Sequence, residues 1–185
     1  VSFYCLLSLI LPLLLTNCAY RLGSPEKTLP GGYKQITIPV FKNLTQEVGI
    51  EVSFTNAIIR EFERSRIARV VDSNQAEGQL EGEIIGLQYV SSGSPSERSL
   101  PTGAVLNTSY NILVRVRMTL KRYSDKTILW QSEFGGERSY VAPNITAAGI
   151  NTLNPLYNLS ARRQNLDIVA GEVMAEAHNR LTENF

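Results

Sequence analysis

The chain has 185 residues, of which 43% are apolar and 19% charged, and its 18 basic and 17 acidic residues give a net charge of +1. This length and apolar content suit one folded domain and exclude a wholly disordered chain. The charge balance excludes a nucleic-acid binder that works through a large basic excess, although it leaves room for a local basic patch.

The first element in the chain is a short apolar block that ends at a cysteine. Cys5–Leu14 carries no charge, and Leu15-Thr16-Asn17-Cys18 follows before the sequence turns polar. Even counted from Val1, the block is shorter than the roughly 20 residues that a membrane-spanning helix needs. We therefore predict a lipoprotein signal peptide over residues 1–17, truncated at its start because no Met or basic residue precedes the block.

Cleavage before Cys18 predicts a covalently lipidated N-terminus, with S-diacylglycerol and an N-acyl group on that residue. Two or three acyl chains anchor a protein stably, whereas one holds only marginally. The alternative is a buried apolar segment whose thiol is a small core hydrophobe, but this block is terminal and contains Pro12. Because Cys5 leaves with the signal and Cys18 is modified, the folded part has no thiol for a disulfide, a metal or a nucleophile.

A segment rich in Gly and Pro follows the cysteine. Residues 18–32 are predicted to form a lipidated tether, and residues 33–185 to form the folded domain. The domain begins with a predicted strand over Tyr33–Val40. Alternation places three apolar side chains on its buried face: Ile36, Ile38 and Val40.

A helix is predicted over residues 46–65, because apolar residues recur there at helical spacing. Thr45 is the predicted N-cap, and Gly49 is a local weakness of the helix. A short strand is expected near Arg69–Asp72.

Residues 79–90 have a mixed strand pattern. One face is predicted to carry Ile85, Leu87 and Tyr89, and the other Leu80 and Ile84. Three glycines four residues apart, at 78, 82 and 86, indicate bulges or a close approach of another segment. A loop rich in Ser, Gly and Pro is predicted over residues 91–107.

Thr108–Arg122 has the clearest alternation in the chain and predicts a long strand. A turn at residues 124–127 joins it to a partner strand over Ile128–Tyr140. Alternation places Ile128, Trp130, Ser132 and Phe134 on one side of the partner strand. A second loop is predicted over residues 141–158, and an amphipathic helix over residues 158–183.

These elements predict an α+β fold, a two-layer sandwich of two helices packed on a mostly antiparallel four-stranded sheet. Antiparallel strands reverse direction, so the loops 91–107 and 141–158 are expected at one end and the 124–127 turn at the other. Two irregular loops at the same end are expected to form a docking surface.

No catalytic motif or metal-ligand cluster occurs in the sequence, and we predict a protein that is not an enzyme. His178, the only histidine, is interpreted as a surface or boundary residue. Arg115, Arg117 and Lys121 share the polar face of the long strand, and such a row can bind phosphate groups. The alternative is a solvated sheet face that charge protects against aggregation.

Three stretches give the sequence a family resemblance. They are Tyr20-Arg21-Leu22 after the cysteine, Ile36-Thr37-Ile38-Pro39-Val40-Phe41-Lys42-Asn43 before the first helix, and Gly78-Gln79-Leu80-Glu81-Gly82-Glu83-Ile84. In this order, and with two helices and a sheet, the chain resembles the LptE family of lipopolysaccharide-assembly lipoproteins.

The resemblance implies a Gram-negative outer-membrane lipoprotein, anchored on the periplasmic side, that plugs an LptD-type β-barrel. It also implies assistance in assembling that barrel and in delivering lipopolysaccharide to the outer leaflet, with no cofactor beyond the lipid on Cys18. Lipid A or core phosphates are then the expected ligands of Arg115, Arg117 and Lys121. The competing interpretation is a freestanding periplasm-facing lipoprotein, a binding or structural module without a barrel partner.

Overall fold

The structure, a computed structural model, describes residues 27–91, 105–147, 150–151 and 155–183. Its elements in chain order are β1 (Gln35–Thr37), β2 (Lys42–Asn43), α1 (Ile50–Ser65), β3 (Arg69–Val70), β4 (Gly78–Ser91), β5 (Val105–Arg122), β6 (Ile128–Ala147), β7 (Ile150–Asn151) and α2 (Pro155–Thr182).

Two helices pack on one mixed sheet, which confirms the α+β sandwich. The strand order is β3-β1-β4-β5-β6-β7, and β2 pairs separately with β4. From β4 to β7 the pairs are antiparallel, whereas β1, β2 and β3 pair in parallel. The sheet has seven strands instead of the predicted four. Of the three two-residue strands, β3 lies where a short strand was expected near Arg69–Asp72, whereas β2 and β7 are too short to show an alternating pattern.

A single apolar core lies between the sheet and the helices. β5 supplies a fully buried row on its helix-facing side: Ile112, Val114, Val116, Met118 and Leu120. Facing side chains come from both helices, with Phe54, Ile58 and Phe62 from α1 and Val169, Val173 and Ala177 from α2. The alternation predicted for the long strand is therefore confirmed.

The first predicted strand is shorter than its pattern suggested. β1 ends at Thr37, and the chain crosses to β2 after a break. Val40 is 66% exposed, so its predicted burial is wrong, while the neighbouring Phe41 is buried. Pro39 lies in the break, where its missing N–H leaves no gap in a strand ladder.

Helix α1 begins later than predicted and without the predicted cap. Its N-cap is Gly49, with φ of 89° and no side-chain capping hydrogen bond. Glycine adopts this left-handed conformation without the steric cost of a Cβ atom. The Thr45 hydroxyl instead accepts the Glu47 N–H at 3.3 Å, inside the turn that precedes the helix.

A bulge between Ile84 and Gly86 shifts the register of β4 against β5. Beyond it, Leu87 and Tyr89 pack against the same core as Leu80 and Ile84, so the prediction that they lie on opposite faces is wrong. The bulge adds one residue and thereby reverses the alternation.

The β5–β6 hairpin is longer than predicted. The proposed loop over residues 141–158 is mostly regular structure, because β6 runs to Ala147 and α2 starts at Pro155. Most of the other predicted loop, residues 92–104, lies outside the described residues. A register shift places Ile128 opposite Lys121 and Trp130 opposite Leu120, so the prediction that Ile128 and Trp130 share one side is wrong. The 124–127 turn lies at the opposite end of the β5–β6 hairpin from the Ser109–Val141 pair. We call this end the turn end.

Candidate functional site

The three predicted cationic residues lie on the face of the sheet that the described helices leave uncovered. Arg115, Arg117 and Lys121 alternate along β5 with the buried Val116, Met118 and Leu120. Because strand side chains alternate between faces, the three cations project together to the side away from the core. We call this side the open face.

Two of the three cations already bind carboxylates. Arg117 stands in register between Glu83 of β4 and Glu133 of β6, with contacts of 3.3 Å and 2.7 Å. Hydrogen bonding to Glu133 raises the pKa of the Arg117 guanidinium above its usual value. Lys121 binds the carboxylate of Glu81 at 2.6 Å. A phosphate would have to displace these partners before it could contact either cation.

Arg115 has different neighbours. Its partners in register are Gly86 on β4 and Gly135 on β6, so no side chain stands beside it in either strand. The described residues place no carboxylate in ion-pair contact with its guanidinium. A depression of about 430 Å³ lies here and includes Leu113 and Glu137 in its lining. Of the predicted row, Arg115 is therefore the residue with an open approach for an anion.

The acidic partners were missed at the sequence level. Glu81 and Glu83 alternate with Leu80 and Ile84 along β4, and that alternation is the signal that could have placed them on the polar face. Glu133 arrives from a third strand. The open face therefore carries cations paired with carboxylates of the neighbouring strands, and not a row of free cations.

A second polar cluster lies away from the turn end and joins α2, β4 and the segment before α1. Arg162 of α2 forms an ion pair with Glu47, which precedes α1. Its Nε donates to the hydroxyl of Tyr89 on β4 at 3.0 Å, and that hydroxyl donates to Glu47 at 3.1 Å. The Arg162 guanidinium also lies 4.6 Å from the centre of the Tyr89 ring. Burial raises the pKa of Tyr89 to about 12, so the hydroxyl keeps its proton and can donate.

His178 is buried between the helices, so the prediction that it lies at the surface or boundary is wrong. Its side chain is 4% exposed, Nε2 lies 2.8 Å from the Ser65 hydroxyl, and the ring meets Phe62 edge-on. Burial lowers the pKa of the imidazole, which favours the neutral form. These contacts give it a packing role between α1 and α2.

Among the residues that the structure describes, no three or more His, Cys, Asp and Glu side chains are grouped so that they could hold a metal ion. The same residues contain no helix with the length and apolar character needed to cross a membrane. Cys18, the predicted lipidation site, lies outside the described residues.

Comparison with known proteins gives one family. The model of the LptE family, described as lipopolysaccharide-assembly, matches residues 33–182. No curated protein sequence matches the chain significantly.

Comparison with solved structures supports the fold. A single-residue variant of the PelC dodecamer from Paraburkholderia phytofirmans matches 88% of this chain and 96% of its own, with a TM-score of 0.52 and 16% identity. At that identity, the likeness shows the fold alone. Unmodified PelC follows at a TM-score of 0.49, with 14% identity over 83% of this chain and 90% of its own. Lipoprotein B from Nitrosomonas europaea has a TM-score of 0.48, with 12% identity over 89% and 90%.

Proposed function

Because the chain belongs to the LptE lipopolysaccharide-assembly family, we propose that it binds an LptD-type outer-membrane β-barrel and fills the barrel lumen as a plug. In this role it assists the assembly of the barrel and the delivery of lipopolysaccharide to the outer leaflet. The extent of the family match carries the proposal, because residues 33–182 include every described helix and strand.

The open face of the sheet supports a role inside a polar lumen. Its cations Arg117 and Lys121 are neutralised within the domain by carboxylates on neighbouring strands. The wall of a large barrel is polar on its inner side. The part of the open face around Arg117 and Lys121 can therefore lie against such a wall without leaving either charge buried and unpaired.

The proposed anchor is the acylated Cys18, on the periplasmic side of the outer membrane. Its support is the uncharged apolar block before the cysteine and the neutral Ala19 after it. Mass spectrometry of the mature protein should show acyl chains on an N-terminal Cys18. An unacylated terminus, or residues retained upstream of it, would contradict the proposal.

Copurification tests the barrel partner. The full chain, tagged at its C-terminus and extracted from native membranes in mild detergent, should elute with a large β-barrel protein in a one-to-one complex. Elution as a monomer would instead favour the freestanding lipoprotein, the second interpretation of the sequence.

We also propose that lipopolysaccharide phosphates meet the open face first at Arg115, and that Arg117 and Lys121 contribute only after exchanging their carboxylate partners. Charge-assisted hydrogen bonds to phosphate are strong. Arg115→Glu should therefore lower the affinity of the full chain for lipopolysaccharide by about tenfold, on the order of 1.4 kcal/mol.

Arg163→Glu is the matched control for this measurement, because it makes the same charge change at an exposed position of α2. Its affinity should equal that of the unchanged protein. Equal binding by the Arg115 variant would remove Arg115 from the site.

A further inference from the structure

Two adjoining cavities lie beside the C-terminal end of α1, at the turn end of the domain. Their volumes are about 650 Å³ and 450 Å³, and both are lined by Lys34, Arg66 and Ile67. We call them together the basic cleft, because most of the charged side chains in the lining are cationic. The larger also includes Arg69, and the smaller Lys27 and Arg64.

The basic cleft concentrates positive charge in a nearly neutral chain. Five cationic side chains in its lining face only two carboxylates, those of Glu61 and Glu63. The local excess of three positive charges compares with +1 for the whole protein. Glu77 is a further acid nearby, and its carboxylate accepts the backbone N–H groups of Lys34 and Gln35 at 2.8 Å and 3.1 Å.

Most of these cations lack a partner. Arg64 forms an ion pair with Glu61, but within the described part of the chain Lys27, Lys34, Arg66 and Arg69 make no ion pair. The open face differs in this respect, since carboxylates hold two of its three predicted cations. Four cationic side chains without an ion-pair partner among the described residues therefore line the basic cleft.

The backbone fixes where these cations stand. Arg66 ends α1 in the left-handed conformation, with φ of 57°, and its N–H donates to the Phe62 carbonyl at 2.9 Å. The Arg69 N–H donates to the Lys34 carbonyl at 2.8 Å, which joins their two segments. Stabilisation of the helix C-terminus accounts for Arg64 and Arg66, and protection of an edge strand accounts for Arg69. Neither accounts for Lys27 and Lys34.

The tether reaches the domain at the same place. Leu29 is 2% exposed and packs into the core, and Lys27, two residues before it, lines the cleft. Lys27 lies nine positions after Cys18 in the sequence, a distance of about 30 Å at full extension. An anchor at Cys18 therefore keeps Lys27, at the edge of the basic cleft, within about 30 Å of the membrane surface.

We propose that the basic cleft docks on the phosphate headgroups of anionic phospholipids in the membrane that holds the lipid anchor. This inference rests on the proposed anchoring and adds an orientation, with the turn end towards the bilayer. Arginine binds phosphate bidentately and lysine binds it as a point charge. Basic groups near an anionic bilayer are attracted within about one Debye length, roughly 8 Å at physiological salt.

The test uses the acylated mature protein in vesicles, with a fluorophore on Glu63→Cys beside the cleft. Vesicles contain phosphatidylcholine with or without phosphatidylglycerol, and a nitroxide headgroup lipid quenches any fluorophore near the surface. Quenching should be strong only with phosphatidylglycerol and should disappear in high salt. A fluorophore on Val141→Cys, exposed on β6 towards the opposite end, should stay unquenched.

Charge reversal identifies the residues. Arg66→Glu with Arg69→Glu should lower the apparent affinity for phosphatidylglycerol at least tenfold, at about fivefold or more for each cation removed. Lys42→Glu with Arg163→Glu makes the same charge change at exposed positions away from the cleft and should have little effect.

Several results would overturn the proposal. Equal quenching in neutral vesicles would mean that the tether alone sets the position, and equal effects of the two double variants would mean unspecific attraction. Displacement by millimolar inorganic phosphate would indicate a small-anion site instead of a membrane contact. Mass spectrometry of the same preparation separates the two ideas, because a protein without acyl chains contradicts the anchoring itself.

Discussion

At the residue scale, Arg162 holds three segments together through one side chain. Its ion pair with Glu47 and its hydrogen bond to Tyr89 are partly shielded from solvent. Arg162→Met keeps much of the apolar stem but leaves the Glu47 carboxylate without its cation. Because the side chain of Arg162 is 35% exposed and that of Glu47 16%, we expect a loss of about 2 kcal/mol in the free energy of unfolding, measured by urea denaturation.

The adjacent residue provides the control for this variant. Arg163 is exposed, and Arg163→Met should change the free energy of unfolding by no more than about 0.5 kcal/mol. If both variants lost the same amount, the cluster around Tyr89 would contribute nothing specific.

His178 should make stability depend on pH. Burial lowers its pKa below the ordinary 6.5, so the unfolded chain binds a proton more readily than the folded one. Its contribution is complete above pH 6.5 and is lost as the pH falls below that value towards the folded-state pKa. The melting temperature should therefore drop between pH 7 and pH 5 more steeply in the unchanged protein than in His178→Gln. Identical slopes would show that other groups control this range.

The sequence predicted that Arg115, Arg117 and Lys121 share one face, but it did not predict which of them form ion pairs. Alternation along one strand determines which face a side chain occupies, whereas its ion pair depends on the register of neighbouring strands. Glu83 and Glu133 come opposite Arg117 from positions 34 and 16 residues away. That register is set by the whole sheet, so a single strand pattern does not reveal it.

At the element scale, long periodic segments were predictable and most short ones were not. The helix ending at Ser65, the second helix and the β5–β6 hairpin repeat their pattern over many residues. β2 and β7 have two residues each and form only where another strand offers its edge, whereas the equally short β3 was expected near Arg69–Asp72. The bulge near Ile84 likewise depends on pairing, and it reversed the faces assigned to Leu87 and Tyr89.

The contact between β6 and α2 requires a residue without a side chain. A Cβ atom added to Gly136 would collide with Val173 of the helix. Gly136→Ala should therefore push α2 away from the sheet and lower the free energy of unfolding by about 1–3 kcal/mol, as overpacking usually does. Urea denaturation monitored by circular dichroism measures the change.

Gly135 is the control, because it lies opposite Arg115 on the open face. A Cβ atom added there would have a backbone oxygen as its nearest neighbour, at 3.7 Å. Gly135→Ala should leave stability nearly unchanged or slightly raised, since alanine loses less backbone entropy on folding. A larger loss at Gly135 than at Gly136 would contradict the packing described for α2.

At the scale of the whole molecule, one core joins both helices to the sheet, so the domain should unfold as a unit. Trp130, the only tryptophan, stacks on Phe134 of the sheet, while Phe62 is fully buried on α1. Phe62→Ala should lower the free energy of unfolding by about 3–5 kcal/mol. It should shift the transitions seen by tryptophan fluorescence and by far-ultraviolet circular dichroism together.

Val48→Ala serves as the reference variant, because Val48 is 90% exposed and its truncation should have little effect. Separate fluorescence and circular dichroism transitions in the Phe62 variant would mean that helix and sheet unfold independently.

The 18 residues of β5 extend about 55 Å, whereas the 28 residues of α2 rise only about 40 Å. β5 is thus about 15 Å longer than α2. In the orientation proposed above, the turn end rests on the bilayer and the far end of β5 stands about 55 Å away from it. A tilt of the domain by about 10° about the turn end would move the far ends of β5 and β6 by about 10 Å. A small change of orientation at the headgroups would therefore become a large displacement at the other end of the hairpin.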